Sequence, residues 1–156
     1  MTTMEKPALI AKVRAQLQAQ YDRIISAAEE ARSYATDPAS KAESKYDTRS
    51  LEASYLAIGQ AEQADELAAA LDDFDFFDWP DFAPDDPIAV GALVELDFAG
   101  DRVFFLIAPR GGGVTCDLDG VELSVLTPMA PLFDRIAGRR AGEVLSGPPV
   151  RVISVR

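Results

Sequence analysis

Lys41-Ala-Glu-Ser-Lys-Tyr-Asp-Thr-Arg-Ser-Leu-Glu-Ala-Ser-Tyr-Leu-Ala-Ile-Gly-Gln60 lies between two long helix-forming segments and decides how the first half of the chain folds. Before it, residues 6–35 contain no glycine, and their one proline, Pro7, stands at the second position. Ile10, Val13, Leu17, Ile24 and Ala31 recur there at three- and four-residue steps, with Gln20 and Ala27 on the same stripe. That is a heptad-like seam, and about thirty residues at 1.5 Å each make a rod of roughly 45 Å. Beyond the stretch, Leu51, Tyr55, Ile58, Ala61, Ala64, Leu67 and Leu71 define a second apolar stripe, ending near Leu71. Its start has two readings: Pro38 with Asp37 as N-cap, or about Thr48 with Asp47 as N-cap. Two long helices with a short connection fold back as an antiparallel hairpin. The tip of such a hairpin has almost no core, so Glu43, Asp47 and Glu52 are free there to act on something else.

The rest of the chain divides in two. Residues 72–87, Asp-Asp-Phe-Asp-Phe-Phe-Asp-Trp-Pro-Asp-Phe-Ala-Pro-Asp-Asp-Pro, alternate acids with aromatics and carry three prolines. This reads as a linker in which Phe74, Phe77, Trp79 and Phe82 pack down while the aspartates face water. Its sharper reading is a docking segment for a basic partner. Residues 88–156 are β-rich. Gly91–Phe98 and Arg102–Ala108 are joined by Ala-Gly-Asp, a hairpin signal, and 122–126 and 150–155 are further strands. A short helix is expected over 131–140. The expected class is α+β: a helical hairpin over 1–71, a linker over 72–87, and a β-rich domain with a small antiparallel sheet over 88–156.

Composition narrows the function. The net charge is −11, and residues 72–86 hold seven acids and no base. Phosphate-directed binding needs a basic surface, and no segment supplies one, so sequence-specific nucleic-acid binding is not expected. The chain has no histidine. This removes Ser-His and Cys-His nucleophile pairs and the commonest metal ligand, and argues against an enzyme in its own right. Cys116 is alone, which agrees with a reducing compartment. No run of about 18 apolar residues and no signal-peptide pattern is present, so a cytoplasmic protein without a membrane span is expected. Arg110-Gly-Gly-Gly113 lacks the Lys-Ser/Thr and the helix of a P-loop and reads as a turn between strands.

The carboxylates at the bend carry the remaining chemistry. On a helix Glu43 and Asp47 stand at i and i+4 and share a face. Two or three exposed carboxylates can hold a Mg²⁺ that keeps most of its waters and deliver it to a partner's active site for phosphodiester hydrolysis. The plainer alternative is a solvated helix end, with these acids paired to Lys41, Lys45 or Arg49.

Two stretches give the chain a resemblance to the Gre family of bacterial transcription elongation factors. Asp47-Thr-Arg-Ser-Leu-Glu-Ala-Ser-Tyr-Leu-Ala is similar to the family's acidic bend, Gly-Asp-Leu-Ser-Glu-Asn-Ala-Glu-Tyr. Ala130-Pro-Leu-Phe-Asp-Arg-Ile-Ala-Gly-Arg139, followed by Ala141-Gly-Glu-Val144, is similar to Ser-Pro-Leu-Gly-x-Ala-Leu-Leu-Gly-Lys and its following Gly-Asp-Glu-Val. The order of parts agrees over nearly the whole chain. The resemblance implies a coiled-coil hairpin that enters the secondary channel of RNA polymerase. It also implies a C-terminal domain like that of FK506-binding proteins, without prolyl isomerase activity. Acids at the tip, here Asp47 first and then Glu43 and Glu52, would share a Mg²⁺ with the polymerase and promote its cleavage of backtracked RNA. The factor would be a monomer with no stably bound cofactor. The departures are specific. With Tyr55 on the family's tyrosine, Thr48 and Leu51 fall where the family has its Asp and Glu. Asp47 and Glu52 are five residues apart, about 140° around a helix. Such a branch can also occupy the channel without promoting cleavage, as a non-catalytic modulator or inhibitor.

Overall fold

The structure, a computed structural model, describes residues 5–36, 49–118 and 120–156. In chain order they form helix α1 (Lys6–Thr36), helix α2 (Arg49–Phe76), strands β1 (Leu93–Phe98), β2 (Asp101–Ile107), β3 (Thr115–Leu118) and β4 (Val121–Leu126), helix α3 (Pro131–Ile136), and strands β5 (Val144–Leu145) and β6 (Val150–Val155). The class is α+β: a helical pair followed by a six-stranded mixed sheet. The chain makes two compact units, Leu17–Ala69 and Met1–Gln16 with Ala70–Arg156.

In the first unit Leu17, Ala28 and Ala64 are buried. Tyr21, Ile25, Ala28 and Glu29 of α1 line one small cleft with Ala61, Ala64 and Asp65 of α2. Since Arg14 of α1 meets Asp75 of α2 while residues 21–29 meet residues 61–65, the helices are antiparallel. Alanine on both sides lets two helices approach closely. Ile58, expected in the apolar stripe of α2, is instead 58% exposed, so the stripe leaves the seam at that point.

In the second unit the same antiparallel order continues. The Arg14 guanidinium grips the Asp75 carboxylate with two hydrogen bonds, Nη2 to Oδ2 at 2.9 Å. Leu9 and Val13 are buried here, as are Ala70, Leu71 and Phe74. Helix α2 therefore runs five residues past the end expected at Leu71. Ala70, Leu71 and Phe74 stand at i, i+1 and i+4, which is a helical buried stripe, and the aspartates between them face outward. Pro80 then disfavours helix at Trp79, and the last helical bond in this region is Phe77 N–H to Asp73 O at 2.8 Å.

The sheet has the strand order β3-β4-β2-β1-β6-β5. The β1–β2 hairpin turns on Ala99 and Gly100, both at positive φ (54° and 100°). That is the pattern of a two-residue hairpin loop, fastened by Gly100 N–H to Asp97 Oδ1 at 2.6 Å. The expected antiparallel sheet is corrected by one pairing: β4 runs parallel to β2, with Phe104 opposite Leu123. The chain reaches that position by first laying down β3 on the outer edge, antiparallel to β4. Neither β3 nor β5 was expected. One has four residues with Thr and Asp among them, and the other has two, too short for an alternating pattern.

Val94, Leu96, Ile107, Val150, Val152 and Val155 on one face of the sheet pack with Ile88 and Ile136 into a core. Leu93, Leu106 and Leu123 alternate with these and are also fully buried. The sheet is therefore covered on both faces, and α1 contributes to that cover. Lys6 Nζ donates to Arg156 O at 3.0 Å and Lys12 Nζ to Asp117 O at 2.8 Å.

Candidate functional site

The acids assigned from sequence were expected at the bend. Glu43 and Asp47 lie outside the described residues. Glu52 belongs to the first turn of α2, and its side chain lies outside the described ones. Among the described residues no cluster of three or more Asp, Glu or Cys is placed to hold a metal ion. No described helix is long and apolar enough to cross a membrane. Cys116 is buried, and that burial raises its thiol pKa, with Lys12 opposing in part. That burial disfavours the thiolate, which is the nucleophilic form.

The acidic aromatic segment is a built surface. Phe74 is buried, and its ring lies 5.2 Å from that of Trp79. Phe77 meets the same indole edge-on at 4.8 Å. The indole N–H donates to Phe74 O at 3.2 Å, so Trp79 caps the end of α2. The Phe82 ring lies 4.9 Å beneath the Lys6 ammonium, which also donates to Pro80 O at 2.7 Å. Burial lowers the Lys6 pKa, Asp81 counters that in part, and Arg156 adds to it. The four aromatics expected to pack thus do so. Gly91 explains how closely the segment lies on the sheet. Its φ is +100°, and a Cβ there would stand 2.5 Å from Pro80 Cδ.

Two features of this region were not read from sequence. Arg110, in the glycine turn, pairs with Asp73 at 2.8 Å. Phe76 points outward and is 84% exposed. Its place on the helix, two residues after the buried Phe74, was the available signal. With Asp73, Phe77, Val90, Pro109 and Pro128 it lines an open groove of about 540 Å³.

The stretch Ala130–Arg139 forms α3 and the turn after it. Pro131 takes the first helical position, where its missing N–H costs nothing. Leu132 and Phe133 pack against the sheet core and Ile136 is fully buried in it. Gly138 has φ +78°, a conformation that favours glycine. Its N–H donates to Ile88 O at 2.8 Å, and Ile88 N–H returns to Arg139 O at 2.8 Å. Pro131, Leu132, Phe133, Ile136 and Gly138 thus fix this helix and turn on the sheet. Nearby, Met129 is 92% exposed.

The described residues thus form a helical pair and a mixed sheet with a short docked helix. No family model and no curated protein matches the chain. Among solved structures it is similar to the GreA factor homolog Gfh1 of Thermus thermophilus, at 19% identity over 94% of each chain with a TM-score of 0.36. It is also similar to Thermus aquaticus Gfh1, at 17% identity over 94% of this chain and 92% of that one, TM-score 0.34. A third structure, of the transcription factor Gfh1, gives 18%, the same coverage as the second, and 0.35. At such identities and TM-scores any functional reading rests on the residues.

Proposed function

We propose that this protein is a transcription elongation regulator that binds RNA polymerase and inserts its helical pair into the secondary channel. The observation that carries the reading is the family-like stretch Ala130–Arg139, lying in a chain whose parts follow the family's order. Its matched residues have structural work to do in the fold, as Pro131, Ile136 and Gly138 show by position and burial. Exposed Met129, just before that stretch, is a natural contact for the C-terminal half on the polymerase.

In this reading the factor is no enzyme. Asp47, helped by Glu43 and Glu52, lends carboxylate oxygens to a Mg²⁺ shared with the polymerase, and the polymerase hydrolyses the backtracked RNA. Such an ion, when bound, would supply Lewis-acid assistance to phosphodiester hydrolysis. The acids hold the ion and add negative charge where it must sit. The partner is protein, which suits a chain of net charge −11. The setting would be the cytoplasm, and the factor would act as a monomer.

The second reading is a channel-occupying modulator without effect on cleavage. It is favoured by the five-residue spacing of Asp47 and Glu52, where the family's two acids are three apart. A cleavage assay on stalled complexes separates the two. The first reading requires that Asp47→Ala lower factor-dependent cleavage while polymerase binding persists. Unchanged cleavage would remove Asp47 from the role. Binding without stimulation by the unaltered protein would establish the second reading.

A further inference from the structure

The sheet ends on β3 at one side and on β5 at the other. An edge strand presents unpaired N–H and C=O groups, a template on which another chain can pair. Strand β5 has two residues and is too short to serve. Strand β3 has four, Thr115–Leu118. Val125 N–H donates to Val114 O at 2.8 Å, so Val114, Cys116 and Leu118 turn their backbone groups toward β4. Alternate residues of an antiparallel pair turn the other way, so Thr115 and Asp117 turn theirs outward. Lys12 Nζ donates to Asp117 O there, at 2.8 Å. Among the described residues no other hydrogen bond engages Thr115 N–H, Thr115 O or Asp117 N–H. Space along this edge is open: Thr115, Cys116, Asp117, Gly120 and Glu122 line a depression of about 380 Å³.

The outward pattern is self-complementary. Let β3 of a second copy lie antiparallel to this one, with the two-fold axis at Cys116. Thr115 then stands opposite the partner's Asp117, and Asp117 opposite the partner's Thr115, an isologous contact. Each such pair exchanges two N–H···O bonds, four in all. Aspartate faces threonine across the pair, so like charges are not directly opposed. Two of the four bonds end on an Asp117 O, the atom that Lys12 occupies. Buried Leu9 and Val13 fix the part of α1 from which Lys12 reaches it. Pairing must therefore strip an ammonium from the carbonyl in both copies before those bonds can form.

We infer that Lys12 guards the edge of the sheet: by holding Asp117 O it keeps β3 from pairing with β3 of a second copy. The guard depends neither on the bend acids nor on RNA polymerase, and it gives the proposed monomer a structural cause.

Sedimentation equilibrium of the full-length protein tests this at about 0.15 M salt, where the Debye length is about 8 Å and the repulsion between acidic chains is screened. Lys12→Ser removes both the donor and the reach. Its dimer should form at concentrations at least about tenfold lower than any dimer of the native chain. Lys12→Arg keeps an N–H within reach of the carbonyl and should behave as the native chain. Arg23→Ser makes the same change in charge at an exposed position of α1 and should also behave as native. Thr115→Pro removes an outward N–H without costing the β3–β4 ladder a bond. Added to Lys12→Ser, it should restore native behaviour. In the Lys12→Ser dimer the Thr115 and Asp117 amides should exchange with deuterium at least about tenfold more slowly than in the native monomer, a readout that does not need the proline variant to fold. Native behaviour of Lys12→Ser would overturn the proposal. So would equal association of Arg23→Ser, or a Lys12→Ser dimer in which those two amides stay unprotected.

Discussion

Gly91→Ala tests how the acidic aromatic segment is held, and Gly100→Ala is its control. Both glycines have φ +100°, so both variants pay for a Cβ in a left-handed backbone, about 1–2 kcal/mol. At Gly100 nothing lies within 4 Å of the added Cβ, and that strain is the whole effect. At Gly91 the Cβ would come 2.5 Å from Pro80 Cδ and 2.8 Å from Cγ. A proline ring cannot rotate away, so residues around Pro80 must shift, and overpacking of this kind adds about 1–3 kcal/mol. The expected losses are about 2–5 kcal/mol for Gly91→Ala and about 1–2 for Gly100→Ala. In a chain of this size each kcal/mol moves the melting temperature by about 2–4 °C. Thermal unfolding should therefore separate the two variants by at least about 2 °C. Native Trp79 emission should change in Gly91→Ala alone, because Trp79 precedes Pro80. Equal costs and unaltered emission in both would refute the close packing of this segment on the sheet.

Other perturbations have defined outcomes. Ile136→Ala removes a fully buried side chain that joins α3 to the sheet core, and urea unfolding should show a loss of about 2–4 kcal/mol. Lys6→Met keeps the stem over Phe82 but loses the hydrogen bonds to Pro80 O and Arg156 O. Relief of the buried charge offsets part of that loss, leaving a net cost of about 1–2 kcal/mol in the same assay. The Arg14 hydrogen bonds lower the Asp75 pKa below its ordinary value of 3.8, partly opposed by burial. A carboxyl whose folded pKa is depressed adds stability above its unfolded pKa and loses it as pH falls through the folded one. The stability gap between the native chain and Asp75→Asn should thus be constant from pH 7 to 5 and close progressively below about pH 4. A gap that widens on acidification would contradict the pairing.

Much of this fold was legible because its periods are long and its punctuation is strong. Thirty residues without an internal breaker gave α1, and the stripe through Ala64 and Leu71 gave α2. Ala-Gly before Asp101 marked the hairpin turn. The errors came where a local rule met a tertiary contact. Acid and aromatic alternation over 72–76 looked like linker, yet Ala70, Leu71 and Phe74 have a buried side to face, so the helix continues. Strands β3 and β5 exist because β4 and β6 supply their partners, which no window of two to four residues can reveal. Phe76 and the pairing of Arg110 with Asp73 depend on residues far apart in sequence. The bend acids were legible as residue types only.

RNA cleavage in a backtracked polymerase complex, with and without this protein at limiting Mg²⁺, tests the central claim most directly. The account predicts faster cleavage that depends on Asp47. Absence of any binding to the complex, with cleavage at its intrinsic rate, would contradict it.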